Sequence, residues 1–448
     1  MSRIISSVII VLLCLILVSC RNWSRGELRD GWGNASWDEG EPYGMEYIPK
    51  GSFTIGPNDQ EVNDEKTPNK TVSVEAFWMD DTEITNKEYR QFTSWVVDSI
   101  ARQLLSEKFP EYLITIDIEG NPLNQPILNW NENINWNDLE VKTTLSNLFI
   151  PDNEMFYGRR EIDSRKLYYE YWWIDFQQAA LRKNKYNYNT QKYEGSIVDK
   201  EGNVVPIENR SSFIMHESVP VYPDTLCWIT DFTYSYNEPL TLQYFWHPGF
   251  NEYPVVGVTW TQAKAFCNWR SKYQSDYRTA HDKIPFQNYR LPTEIEWEYA
   301  ARGKTKFSKY PWGGYYARKG NGDFQANFKP FRGDYLKDGG ITVMKVRSYL
   351  MNDFCLYDMA GNVAEWTSNS YNESAYAIIN ELNPNYEYNA KPDDPAAMKR
   401  KVVRGGSWKD VAYNIQVATR NFEYQDSAKS FIGFRCVRST FVTNMIVK

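Results

Sequence analysis

Three times this chain places a threonine three residues ahead of a glutamate or glutamine: Thr85 before Glu88, Thr259 before Gln262 and Thr293 before Glu296. In such a box the hydroxyl and the longer side chain satisfy each other's exposed amides, so each marks a helix start. Tyr89, Phe92, Trp95 and Val96 continue the first at helical spacing, Ala263, Phe266 and Cys267 the second, and Tyr299 and Ala300 the third, which Gly303 ends. Outside these segments the apolar patterns are short. Ile48 to Gly56 alternates and then meets a turn, Thr71 to Met79 repeats the alternation, and Tyr253 to Val258 reads as one more short strand. After Gly303 the chain is rich in Gly, Asn and Trp, with short elements only. The expected fold class is therefore α+β, irregular and loop-dominated, with short strands and few helices.

The first residues read as an address. Arg3 precedes an apolar run from Val8 to Val18, too short for the ~20 residues that span a bilayer, and Leu17-Val18-Ser19-Cys20 resembles a bacterial lipobox. Residues 1–19 are expected to be a lipoprotein signal peptide, Cys20 the lipidated residue, and 20–44 a polar, Gly-containing linker. Arg21 stands where an inner-membrane retention aspartate often follows the cysteine, and no acidic export run comes after it. This points to the periplasmic face of the outer membrane. In an oxidising compartment the remaining Cys227, Cys267, Cys355 and Cys436 permit two disulfides in three pairings, and spacing does not choose among them.

Composition excludes some partners. Acidic side chains number 57 against 50 basic, a net charge of −7, so nucleic acid is not an expected ligand. His216, His247 and His281 are scattered without metal-ligand spacing. Between about 97 and 246 the texture turns rich in Asn and Tyr, most clearly at Tyr168-Tyr169-Glu170-Tyr171-Trp172-Trp173 and from Asn184 to Tyr193. That aromatic cluster reads first as packing, with a partner-binding surface as the alternative.

Seven segments, in order, carry a resemblance: Gly51-Ser52-Phe53-Thr54-Ile55-Gly56, Glu83 to Tyr89, Pro254 to Trp260, Arg290 to Glu298, Gly361-Asn362-Val363-Ala364-Glu365-Trp366, Arg404-Gly405-Gly406-Ser407-Trp408 and Gly433-Phe434-Arg435-Cys436. Together they resemble the formylglycine-generating enzyme (sulfatase-modifying factor) family, a variant of the C-type-lectin-like architecture. The resemblance covers about 45 to 95 and 253 to 438. It implies a single domain over 45–448, interrupted by an insertion at about 97–246.

The family's enzymes oxidise a substrate cysteine with a copper-binding cysteine pair just after the Arg-Gly-Gly-Ser segment. The matching positions here are Asp410 and Ile415. Copper(I) selects soft thiolates, so the resemblance implies a chain with no copper, no oxidase centre and no enzymatic activity of that kind. It also implies a Cys267–Cys436 disulfide, leaving Cys227 and Cys355 open. Structural calcium is implied at Asn327, Phe328, Asp338 and Gly340, and at Asp358, Gly361, Val363 and Glu365, with turn-capping by polar loop residues as the alternative at both.

With its lipobox and its insertion, the chain is similar to the gliding-motility and type IX secretion lipoproteins of Bacteroidota, the GldK/PorK type, with the GldJ type sharing the fold. This implies a non-catalytic structural ring component beneath the outer membrane. It would self-associate and contact a GldN/PorN-type periplasmic protein, with Tyr168, Tyr169, Tyr171, Trp172 and Trp173 as contact residues. An enzyme of altered chemistry and a ligand-binding, lectin-like lipoprotein are the other two readings.

Overall fold

A computed structural model describes residues 40–56, 69–116, 120–155, 157–199, 202–233, 239–281, 283–305 and 307–440; Cys20, the expected signal peptide and nearly all of the linker lie outside them. In chain order the main elements are β1 (Met45–Ile48), β2 (Gly51–Ile55), β3 (Lys70–Val74), β4 (Phe77–Asp80), α1 (Asn86–Ser106), β5 (Tyr168–Ile174), β6 (Ile214–Pro220) and α2 (Trp260–Thr279). They continue with β7 (Tyr289–Arg290), α3 (Glu294–Arg302), β8 (Ala364–Ser370), β9 (Arg400–Arg404), β10 (Asn421–Tyr424), β11 (Ile432–Gly433) and β12 (Val437–Ser439). From Glu41 onward the described residues form one compact unit.

All three threonine boxes close. The Thr85 amide donates to Glu88 Oε2 at 2.8 Å, the Thr259 amide to Gln262 Oε1 at 2.9 Å and the Thr293 amide to Glu296 Oε2 at 2.9 Å, and each threonine hydroxyl accepts the return bond. Gly303 ends α3 at φ +61°, a conformation that costs a residue with a Cβ. Helix α1 runs on to Ser106, past Val97 where the composition changes, because Ala101 and Leu105 keep its buried face supplied.

Two four-stranded sheets hold distant parts of the chain together. One runs β1-β4-β12-β7, pairing β12 near the C-terminus with β4 near the N-terminus, and the other runs β10-β9-β8-β11, all from the C-terminal part of the chain. The expected strand from Tyr253 to Val258 does not form. The segment makes one bridge, from Pro254 to Thr85, and Gly257 turns it at φ +72°. Its amides instead reach separate loops, Val255 donating to Ile84 O and Gly257 to Lys429 O.

The largest core lies between α1 and α2. Tyr89 stacks on Phe266 with ring centres 5.5 Å apart, and Phe92, Trp269 and Phe434 pack around them edge-on or tilted. Aromatic pairs in such arrangements add to the burial of their area. Within the stretch expected as an insertion, β5 and β6 form an antiparallel hairpin ladder from Tyr168↔Pro220 to Ile174↔Ile214. The side of β5 that faces inward adds Tyr169 and Tyr171 to this same core. Among the described residues no helix is long and apolar enough to cross a membrane.

Candidate functional site

Strand β9 ends at Arg404, and the chain then reverses through Gly405 at φ +88° and Gly406 at φ +66°. A Cβ on Gly405 would lie 3.1 Å from Trp297, and one on Gly406 2.7 Å from Asn414 O, so only glycine fits the reversal. Below it, Arg404 is fully buried against Glu294 and Glu298 of α3, and Arg420 and Arg302 reach the same two carboxylates. This network fixes the loop from beneath.

The loop carries the two positions where a copper pair is expected in an oxidase, and both serve packing. Asp410 Oδ2 accepts the Ser407 amide at 2.9 Å and the Ser407 hydroxyl at 2.6 Å, while Oδ1 accepts Asn414 Nδ2 at 3.0 Å. Both oxygens are spent on holding the turn. Ile415 is fully buried among Tyr310, Ala326, Phe328 and Ala360. A hard carboxylate and an aliphatic chain offer copper(I) no thiolate. The loop is also covered: Trp228 stacks on Trp408 at 6.2 Å, and Asp231 binds both Lys409 Nζ and the Ser430 hydroxyl.

The first set implied for calcium is gathered in one place. Asp338 accepts the amides of Phe328 at 2.6 Å and Gly340 at 3.2 Å, and Asn327 donates to Thr342 O and to Asn362 Oδ1. Burial raises the Asp338 pKa, which favours anything that brings a compensating positive charge. A carboxylate accepting two amides retains lone pairs, and hard oxygens are the donor type that calcium takes, with Asp338 the one carboxylate in this set.

The second set does not fit one as it stands. Glu365 forks onto Arg435 at 2.6 and 2.7 Å and accepts the Trp297 indole at 2.7 Å; Asp358, at φ +56°, accepts the Arg347 amide at 2.7 Å. Val363 is fully buried, and Gly361 passes so close to Asn327 that a Cβ would lie 2.2 Å from its carbonyl. The guanidinium occupies the place of a cation. Sequence reasoning missed Glu83, a third carboxylate here, fully buried and bonded to Asn362 Nδ2 at 3.1 Å. Burial raises the pKa of Glu83, and that of Asp358 to about 6, each worsened by neighbouring carboxylates. Among the described residues no group of three or more His, Cys, Asp or Glu side chains is placed to hold a metal.

Cys267 and Cys436 face each other in the core with sulfurs 3.4 Å apart, unbonded. The expected bond is thus absent from this structure, although its two partners meet. Burial pushes the Cys436 thiol up. Cys227, buried beside Trp228, and Cys355, at φ +62°, are free as well.

The sulfatase-modifying factor enzyme 1-like domain family matches residues 36–147 and 237–440. The chain belongs to this family. It is 35% identical over 191 residues to the inactive C-alpha-formylglycine-generating enzyme 2 of Bos taurus, a match covering 41% of this chain and 50% of that protein. It is 25% identical over 406 residues to the formylglycine-generating enzyme of Bos taurus, covering 88% and 74%. The chain spans about half the length of the relatives that it matches above 30% identity in cattle and mouse. Among solved structures it is similar to PvdO from Pseudomonas aeruginosa, at 16% identity and a TM-score of 0.43, covering 88% of this chain and 94% of that one.

The stretch that this family does not match, 148–236, contains the aromatic run, and the structure divides that run by the alternation of a strand. Tyr169 and Tyr171 are buried and Trp173 is half-buried, its indole pointing to Glu217 at 3.4 Å. This corrects the expectation that all five aromatics present a contact surface. Only Tyr168, 48% exposed, and Trp172, 61% exposed, lie on the outer face, where Trp172 stacks on His216 at 4.8 Å.

Proposed function

We propose that this member of the formylglycine-generating family is a non-catalytic outer-membrane lipoprotein, anchored through Cys20 at the periplasmic face. In this reading it is a structural ring component of a type IX secretion or gliding-motility machine, of the GldK/PorK type. It self-associates and meets a GldN/PorN-type periplasmic protein through the outer face of β5, with Tyr168 and Trp172 as the contact residues. The observation that carries the reading is the conversion of both copper positions to packing: Asp410 holds the Ser407 turn and Ile415 fills a core. Relatives that share the domain include proteins named as inactive, which is compatible with it.

Two structural parts complete the proposal. Calcium sits at Asn327, Phe328, Asp338 and Gly340, and Cys267 and Cys436 become bonded in the oxidising compartment. The decisive experiment is affinity purification of the lipidated protein, with mass spectrometry of its companions and a copper-supplemented assay on a sulfatase-derived cysteine peptide. Co-purification of a periplasmic ring protein without peptide oxidation supports the reading, whereas turnover of the peptide overturns it. Melting curves with calcium or chelator test the ion, which stabilises by mass action if it binds the fold. Peptide mapping without reductant tests the bond.

A further inference from the structure

Two cavities, of about 710 and 520 Å³, meet under the hairpin of β5 and β6 and share Trp173, Asp175 and Asn389. Their sizes lie in the range of small-molecule sites, and together they make a trough rather than a round pocket. One wall of both belongs to the stretch outside the family match; the rest belongs to the matched part, with Asn389 in both cavities and Lys264, Arg290 and Asn383 in the larger.

Carboxylates outnumber cations along the trough, with Asp175, Glu217, Glu387 and Asp393 set against Lys264 and Lys391, and among the described residues that line it only Arg290 and Glu296 form an ion pair. Arg290 forks onto Glu296 at 2.6 Å, Lys264 Nζ donates to Asn389 Oδ1 at 2.9 Å, and Asp175 accepts the Gln178 amide at 2.9 Å. Glu387 accepts from Asn385 Nδ2 at 3.3 Å. That excess of carboxylates disfavours an anionic ligand, and among the described residues no group of three or more His, Cys, Asp or Glu side chains is placed to hold a metal. For an uncharged ligand the trough offers carboxylate and side-chain amide groups, several already bonded within the wall, the buried hydroxyl of Ser368, which has no partner among the described residues, and the half-buried indole of Trp173, which lines both chambers. A primary amide offers donors and an acceptor side by side, the match for neighbouring hydroxyls or an acetamido group. An indole face takes up the C–H side of a flat, otherwise polar ring.

We propose that this trough binds a neutral oligosaccharide, with Trp173 as the platform between two subsites and Asn389 bridging them. An extended peptide is the poorer match. Peptides gain most from pairing with a free strand edge, and at β7 the Tyr289 amide is already taken by the Ser271 hydroxyl at 2.8 Å. The inference is independent of the ring reading, since a chain that fails to assemble still has the trough.

The test uses the full chain in detergent, titrated calorimetrically with triacetylchitotriose and with cellotriose. At least one is expected to bind saturably at millimolar concentration or below. Trp173→Ala and Asn389→Ala are each expected to weaken that binding by about tenfold or more. Glu170→Ala, on the opposite face of the same strand, leaves it unchanged and controls for hairpin damage, and Asn389→Ala keeps the test valid if Trp173→Ala lowers the melting temperature. Failure of both trisaccharides to bind overturns the proposal, as does binding that survives both variants. Competition by an unrelated peptide with either sugar also overturns it.

Discussion

Ile415 shows how a position that carries chemistry elsewhere in a family can be given over to packing. Its side chain is fully buried and touches the Gly406 turn, so it fills the space left when no thiol and no metal are there. Ile415→Ala is expected to lower stability by about 2–5 kcal/mol, the cost of a cavity in a close-packed core, measured by denaturant melts. A change near zero would mean that the loop collapses around the gap and that Ile415 is not a structural plug. Asp358 poses the opposite problem, a charge the fold tolerates badly. Its pKa is raised to about 6 from 3.8, chiefly by burial, so between roughly pH 4 and 6 the folded state holds a proton that the unfolded chain has released. The stability this group contributes is present below about pH 4 and is lost as pH rises through 6. Asp358→Asn, which cannot ionise, is therefore expected to gain stability relative to the parent at pH 7 but not at pH 4. Thermal melts at both values check this; a variant less stable than the parent at pH 7 would show that the carboxylate is needed ionised.

At the scale of elements, the hairpin of β5 and β6 separates two roles along seven residues. Tyr171 points into the core shared with α1 and α2, and Trp172 points outward over His216. Tyr171→Asp is expected to destabilise by several kcal/mol, since it buries an unpaired charge, while Trp172→Asp leaves the melting temperature within a few degrees and removes co-purification of the ring partner. If Trp172→Asp still assembles normally, the contact lies elsewhere on the molecule. This division was legible in principle, because successive residues of a strand face opposite sides, but the aromatic run has no polar alternation to announce which face is which. The capped helices were fully legible, since a capping box is local chemistry. The segment from Tyr253 to Val258 was not: it has the composition of a strand, yet its amides go to Ile84 and Lys429, partners that only the tertiary fold brings close. Glu83 was missed for the same reason. It precedes the Thr85 box and reads as part of that motif, but its partner Asn362 lies 279 residues away.

At the scale of the whole molecule, the part outside the family match is not an appendage that can be cut away. Removing about 150–200 as a block would take Leu167, Tyr169 and Tyr171 out of the central core, and it would leave β6 without the strand that pairs with it along its whole length. The residues beyond the hairpin's tip are different, because Ile174 and Ile214 already stand opposite each other in the ladder and the chain between them packs into a small cluster of its own around Ile197, Ile207 and Phe213. Replacing 175–213 with an Asn-Gly turn should therefore close the hairpin in register. The trimmed chain is expected to fold with the parent's near-ultraviolet dichroism, to melt within a few degrees of it, and to keep the outer face of Trp172 for its partner. It should at the same time lose the sugar-binding wall that Asp175 and Gln178 provide. If it melts far below the parent, the distal cluster carries the hairpin rather than the reverse. If it folds but no longer assembles, the contact surface is in the excised segment and not on β5.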